Sequence, residues 1–318
     1  SGEDSISPHV SQAVIFQNVK KDVTQINPVI KEALNILEIA SNRKDGLSGL
    51  QSGFHDLDKM TSGWQNSDLV IIAARPAMGK SAFGMSLLKE IAVKNRIPTA
   101  FFSLEMSSNQ AINRLRMVLS KVDGAKIKVY DNGYTDTLNE EEKRRLEDAG
   151  KQMDIAPIYL DDSPSLSIHE LSQQAIRLVS DFQIKLIIVD YLQLMNSGLL
   201  FSDRNEEMAY IIRRLKALAK DLNIPIIVFS PVYRRESREE IDGIRPQLRD
   251  LRCDAIEQDA DMICFIHRPE YYRIYNDING NDLHGKAEII VAKNRNGNRG
   301  DVLLKFNGGY SSFDNLDE

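Results

Sequence analysis

The sequence predicts an α/β fold: a doubly wound, mostly parallel sheet with an antiparallel C-terminal edge. Three observations predict it. From Gly49 onward, short apolar runs alternate with stretches of helical periodicity, the pattern of βαβ units. The runs are near-continuous, as in Leu186-Ile-Ile-Val189, so the sheet is expected to be covered on both faces. The last two runs break the alternation, because only Asn294-Arg-Asn-Gly-Asn-Arg-Gly300 separates them, a joint suited to a hairpin.

Each element has a local reason. After a polar start, Asn27-Pro28 sets a capping residue before a proline, and Ile30, Leu34 and Leu37 mark one face of a helix over about 28–41. That face needs a cover, either the chain's own domain or a neighbouring subunit, and periodicity does not choose. Asn42-Arg-Lys-Asp-Gly46 separates the helix from the alternating pattern, so residues 1–48 read as a linker region and 49–318 as one domain. Strands are expected at 69–73, 99–104, 158–161, 185–190, 224–230 and 261–266, with the closing pair at 287–292 and 302–306. Helices are expected at 82–94, 108–120, 139–152, 168–182 and 205–222, the fourth opened by the capping box Ser167-Ile-His-Glu170. Neither an internal repeat nor a low-complexity segment is present.

Composition narrows the class. At 318 residues with 42% hydrophobic and 27% charged content, the chain suits one large globular domain or two modest ones. No apolar run approaches the ~18–20 residues that span a bilayer, and the polar N-terminus lacks a signal-peptide core. Cys253 and Cys264 offer neither a disulfide framework nor metal-ligand spacing, which predicts a reduced, cytoplasmic protein without a membrane partner. A net charge of −6 excludes a surface coated in basic patches, so any nucleic-acid contact must be confined to a groove or channel.

The chemistry starts at Leu69-Val-Ile-Ile-Ala-Ala-Arg-Pro-Ala-Met-Gly-Lys-Ser81, an apolar strand emptying into a loop that opens a helix. This is the context of a P-loop: Arg75, Pro76, Ala77, Met78 and Gly79 with Lys80, Ser81 and Ala82 would cradle a nucleoside triphosphate. Lys80 would reach the β and γ oxygens, and the Ser81 hydroxyl would ligate Mg²⁺. The strict pattern is broken once, by Ala74 at the first glycine. Asp190 ends a buried strand, where it could hold the Mg²⁺ hydration shell or cap a turn. Glu105 ends another, either as a base for the attacking water or as the dipole partner of the helix starting near Ser107. Lys293 and Arg295, read alone, sit in an exposed basic hairpin.

Together these segments resemble the DnaB family of replicative DNA helicases. The resemblance rests on Phe54-His-Asp-Leu-Asp-Lys-Met-Thr-Ser-Gly63, Ala73-Ala-Arg-Pro-Ala-Met-Gly-Lys-Ser81, Phe102-Ser-Leu-Glu-Met106, Val189-Asp-Tyr-Leu-Gln-Leu194, Ala255-Ile-Glu-Gln-Asp-Ala-Asp261 and Ala292-Lys-Asn-Arg-Asn-Gly297. It implies a RecA-like P-loop ATPase using ATP and Mg²⁺, assembled as a homohexameric ring that translocates on single-stranded DNA and unwinds duplex at the replication fork. It assigns phosphate and metal contacts to Lys80 and Ser81, the second metal anchor to Asp190 and the general base to Glu105. Lys293 and Arg295 become cations delivered to a neighbour's γ-phosphate, with Arg295 the arginine finger, and the helix at 28–41 becomes a linker that docks on the adjacent subunit. The family's N-terminal collar domain has no counterpart in the sequence, so a C-terminal portion is expected, with primase and helicase loader as partners of the full-length family.

Two departures bear on DNA coupling. The family carries a γ-phosphate-sensing Gln where this chain has Pro231, which offers neither a side-chain amide nor a backbone N–H. The channel loop before Ala255 reads Cys253-Asp254, one residue shorter than the family's Glu-Ser-Gly, and its aspartate is expected to repel a phosphate backbone. Upstream, Arg234, Arg235, Arg238, Arg245, Arg249 and Arg252 are nearly cancelled by Glu236, Glu239, Glu240, Asp242 and Asp250, which leaves Arg249 and Arg252 as the DNA-binding candidates. Two alternative functions stay open: a nucleotide-controlled ring or filament assembly module with weak or no unwinding, and a strand-exchange or clock-type ATPase sharing the core.

Overall fold

The computed structural model describes residues 25–28, 30, 31, 34, 35, 38, 46–232, 244–251 and 253–317. Arg252, Arg234, Arg235 and Arg238 lie outside the described residues. The chain divides into two units, Ser1–Lys44 and Asp45–Glu318. In the first, residues 26–28, 30, 31, 34, 35 and 38 are helical, and Ile26, Ile30 and Leu34 are exposed.

The second unit is a RecA-like α/β domain built on one sheet of order β3-β2-β4-β5-β1-β6-β7-β8-β9. The strands are β1 Leu69–Ala74, β2 Thr99–Ser103, β3 Ile158–Asp161, β4 Leu186–Asp190, β5 Ile226–Pro231, β6 Met262–His267, β7 Lys286–Asn294, β8 Gly300–Asn307 and β9 Ser312–Asp314. The first six pair in parallel and the last three antiparallel, so the expected edge is present. Alternation along each strand feeds two cores. Val70, Ile72, Phe101, Ile188 and Phe229 face one core, and Leu69, Ile71, Phe102, Ile187 and Val228 face the other. At ~1.5–3 kcal/mol for each large side chain buried, these strands hold the frame that carries the site.

The helices cover both faces. They are α1 His55–Thr61, α2 Lys80–Leu88, α3 Ser108–Ser120, α4 Gly124–Asp131, α5 Glu140–Asp154, α6 Ile168–Phe182, α7 Arg204–Leu222 and α8 Asp254–Asp259. The Ser167–Glu170 capping box forms as the sequence implies, and Ser107–Gln110 and Asn139–Glu142 make two more. The helix expected at 82–94 starts two residues earlier at Lys80 and turns to π geometry over Lys89–Lys94. There Lys89 Nζ is clasped between Asp314 at 2.6 Å and Glu90 at 2.9 Å, all three side chains buried. Helices α1, α4 and α8 and strand β9 escape the periodicity reading because runs of eight residues or fewer do not establish a helical period.

Candidate nucleotide-binding and catalytic site

Strand β1 ends at the C-terminal edge of the parallel sheet, the side on which open α/β sheets bind ligands, with Ala74 level with Pro231 of β5 and Ile266 of β6. The loop after it needs left-handed backbone at Ala77 (φ 64°) and Gly79 (φ 99°). At Gly79 that conformation favours glycine, and an added Cβ would in addition crowd the Phe313 ring at 3.2 Å. Helix α2 opens on the next residue, and its unpaired N–H groups give a seat for an anion.

That seat opens into a cleft of about 690 Å³. Pro76, Ala77, Gly79, Lys80, Ser81 and Ala82 line it, but two of the expected cradle residues do not. The Met78 side chain is packed in the core, and Arg75 is buried outside the lining, so neither side chain faces the cleft. Lys80 Nζ lies 3.5 Å from the Ala74 carbonyl oxygen. Burial lowers its pKa, opposed by the charges of Asp190 and Glu105.

Asp190 is fully buried, and neither carboxylate oxygen has a hydrogen-bond partner among the described residues. Burial pushes its pKa up; the Ser81 hydroxyl lies close enough to oppose that without a well-formed hydrogen bond. A buried, unpaired carboxylate is costly unless a cation sits against it. An Asp oxygen facing a Ser hydroxyl at a helix N-terminus is the hard-oxygen set that Mg²⁺ takes alongside phosphate oxygens. Glu105 stands exposed in the cleft wall between β2 and α3. Ser107 already caps α3 with Gln110, so the helix has its N-terminal acceptor without Glu105.

Pro231 lies in the same wall, where the sequence locates the missing sensor. Behind it the Gln193 side-chain amide donates to Ser230 Oγ at 2.9 Å. Sequence reasoning missed three groups at this site. Arg268, just beyond β6, holds its guanidinium 3.6 Å from the centre of the Phe306 ring and donates to the Ala77 carbonyl at 3.3 Å. Arg114 reaches in from α3, and its charge opposes the rise in the Asp190 pKa. The position of Arg268 at the end of a parallel strand was the available signal; Phe306 and Arg114 arrive only through tertiary packing.

Lys293 and Arg295 do not line the cleft. Arg295 N donates to the Asp261 carbonyl, level with Leu69 at the start of β1. Ala74 is five residues further along that strand, about 16 Å at ~3.3 Å per residue. That puts the chain's own phosphate seat out of reach of Arg295; Lys293, level with Ile71, turns its Nζ away from the seat to the carbonyls of Glu257 and Ala260. Arg249 is exposed in a short turn, Leu248–Asp250. Cys253 is buried and Asp254 begins α8, where a carboxylate suits the helix dipole. Among the described residues no helix is long and apolar enough to cross a membrane.

Comparison with known proteins gives one consistent answer. The DnaB-like helicase C-terminal domain family matches residues 49–315. The replicative DNA helicase DnaB of Buchnera aphidicola (Acyrthosiphon pisum) is 42% identical over 298 residues, covering 93% of this chain and 62% of the relative. That of Geobacillus stearothermophilus is 36% identical over 304 residues, covering 95% of this chain and 63% of the relative. The chain thus spans about three fifths of the length of these relatives. Among solved structures, an isolated ATPase domain superposes with a TM-score of 0.81 at 30% identity, covering 93% of this chain and all of that one. A DnaB-like replicative helicase, described with its interactions with primase, gives 0.79 at 30% identity, over 92% of this chain and 68% of that one.

Proposed function

This chain belongs to the DnaB-like helicase C-terminal domain family, and from that premise we propose that it is the ATP-hydrolysing motor of a replicative DNA helicase. The observation that carries the reading is the orphaned, buried Asp190 carboxylate facing Ser81 and Lys80 at the N-terminus of α2. Ser81 and Asp190 would hold Mg²⁺, which when bound neutralises charge on the phosphate oxygens. Main-chain N–H groups of the loop and α2 hold the phosphates, and Lys80 draws the γ-phosphate toward its leaving geometry. Glu105 accepts the proton of the water that attacks in line with the γ-phosphate. The base stacks at Arg268 and Phe306, where a planar cation and an aromatic ring both offer a flat face.

Arg295, out of reach of its own phosphate seat, and Lys293, turned away from it, act on the site of the next subunit, which makes a ring the working unit. Six copies thread single-stranded DNA, with Arg249 and Arg252 gripping its backbone, and the helix at 28–41 docks on the neighbour. The whole protein would work in the cytoplasm with primase and a loader. With Pro231 in the sensor position, γ-phosphate occupancy is not relayed by a side-chain amide there, which favours modest DNA stimulation over strict coupling.

The test is Mg²⁺-dependent ATP hydrolysis with and without single-stranded DNA, with Lys80→Ala as the blank. Turnover raised severalfold by DNA and abolished in the variant is expected. Turnover indifferent to DNA would overturn the translocase and favour the nucleotide-controlled assembly module.

A further inference from the structure

Lys293 and Arg295 are held rather than loose. Lys293 Nζ donates to the carbonyl oxygens of Glu257 and Ala260, the latter at 2.7 Å. Arg295 donates to the Gln258 carbonyl and, through Nη1, to Asp261 Oδ1 at 3.3 Å. The carbonyls are those left open where α8 ends, which favours cations twice over, through unpaired acceptors and through the helix dipole. Asp261 is 5% exposed and is itself pinned: Oδ2 accepts from Lys216 Nζ at 2.6 Å and from Leu69 N at 2.8 Å. Lys216 reaches from α7 and also donates to the Ser67 carbonyl at 2.7 Å. The Arg295 side chain remains 44% exposed.

We propose that Asp261, braced by Lys216, is the positioning residue that aims Arg295 at the γ-phosphate bound by the neighbouring subunit. The proposal rests on the reading that Arg295 acts in trans. An arginine held this way has lost much of its rotamer entropy before a neighbour arrives, so the transition state does not bear that cost. Among the described residues two of the guanidinium's five N–H donors are engaged, one through each Nη, which leaves donors for phosphate oxygens. Sharing the Asp261 carboxylate with Lys216 keeps Arg295 from being fully neutralised. A loose arginine would offer the same charge with a poorer geometry, and a transition-state contact is sensitive to geometry.

The test mixes subunits. Lys80→Ala chains keep the finger and lose the site, while Arg295→Ala chains keep the site and lose the finger. Mixed, they are expected to regain ATP turnover that neither has alone. Adding Asp261→Asn to the Lys80→Ala chain should cut the recovered kcat about tenfold with KM within twofold. The same substitution in the Arg295→Ala chain, where there is no finger to aim, should change the recovered kcat by less than twofold. Lys216→Met in the Lys80→Ala chain should give a smaller loss of the same kind, and it keeps the test available should Asp261→Asn fail to fold. Equal loss in both chains would make Asp261 merely structural and overturn the proposal, as would no loss or a gain from the finger-bearing chain. Absence of any recovery in the first mixture would overturn the trans reading and the proposal with it.

Discussion

Asp68 and His267 are buried groups whose pH responses oppose each other. Burial, then the neighbouring Asp261 carboxylate, pushes Asp68 up to about 6 against the pull of Lys216 and Arg295. Burial, then the charges of Arg245 and Arg75, pushes His267 down to about 4. The folded state favours protonated Asp68, so its contribution is full below the unfolded value of 3.8 and is lost as pH rises through 6. The folded state favours neutral His267, so its contribution is full above 6.5 and is lost as pH falls through 4. At ~1.4 kcal/mol per pKa unit each is worth roughly 3 kcal/mol, and the windows overlap with opposite signs. Between pH 4 and 6 the contributions of these two groups should therefore nearly cancel in the wild-type Tm. Asp68→Asn should uncover the histidine, with Tm falling steadily as the solution is acidified across that window; a slope matching wild type would refute the pairing. In the cleft, Arg268→Ala should weaken binding of a nucleoside diphosphate about tenfold by calorimetry, the scale of a partly desolvated cation–π contact. Arg268→Lys should not restore it, because a point charge lacks the planar face that stacks.

At the scale of elements, β9 is the shortest strand among the described residues and among the most consequential. Lys89 Nζ binds Asp314 at 2.6 Å, Phe313 N donates to Ser86 Oγ at 2.9 Å, and the Phe313 ring packs against Phe83 and Phe306. These contacts tie the C-terminal edge to α2, the helix that opens on the phosphate seat. Asp314→Ala leaves Lys89 buried with Glu90 as its remaining carboxylate, and breaking such a pair costs ~3–5 kcal/mol. The expected result is a Tm lower by several degrees together with weaker nucleotide binding; unchanged affinity would show that β9 steadies the fold without shaping the loop. Elements of this kind mark where sequence reading stops. The strand–loop–helix around Gly79, the strand-end Asp190 and the long capped helices were legible because their signals lie within a few residues of one another. The three residues of β9, the six of α8 and the closure of Phe306 over Arg268 were not, since each is set by partners distant in sequence. The strand order was likewise beyond periodicity, which reports faces and not neighbours.

At the scale of the whole molecule, the phosphate seat and the proposed finger stand at opposite ends of the parallel strands. Its phosphate seat lies at one end of the parallel strands, and its Arg295 backbone lies about 16 Å away, five residues back along β1 at ~3.3 Å each. If Arg295 acts on a neighbour as proposed, assembly adds its charge to those of Lys80, Arg114 and Arg268 already in the cleft, an effect of ~10³–10⁵ in rate where such fingers are known. If the linker helix docks on a neighbour as proposed, it gives a second reason to assemble: Ile26, Ile30 and Leu34, at helical positions, are 67%, 46% and 60% exposed. The two reasons make a joint prediction. Ile30→Asp with Leu34→Asp should convert the protein to monomers by light scattering while Tm stays within about 2 °C, because no core residue is touched. If the finger acts in trans, kcat should fall in the same variant to the level of Arg295→Ala, although every residue of the nucleotide cleft is intact. Monomers that keep wild-type turnover would mean that the site is complete within one chain, with the cations that line the cleft, Lys80, Arg114 and Arg268, sufficient for the transition state.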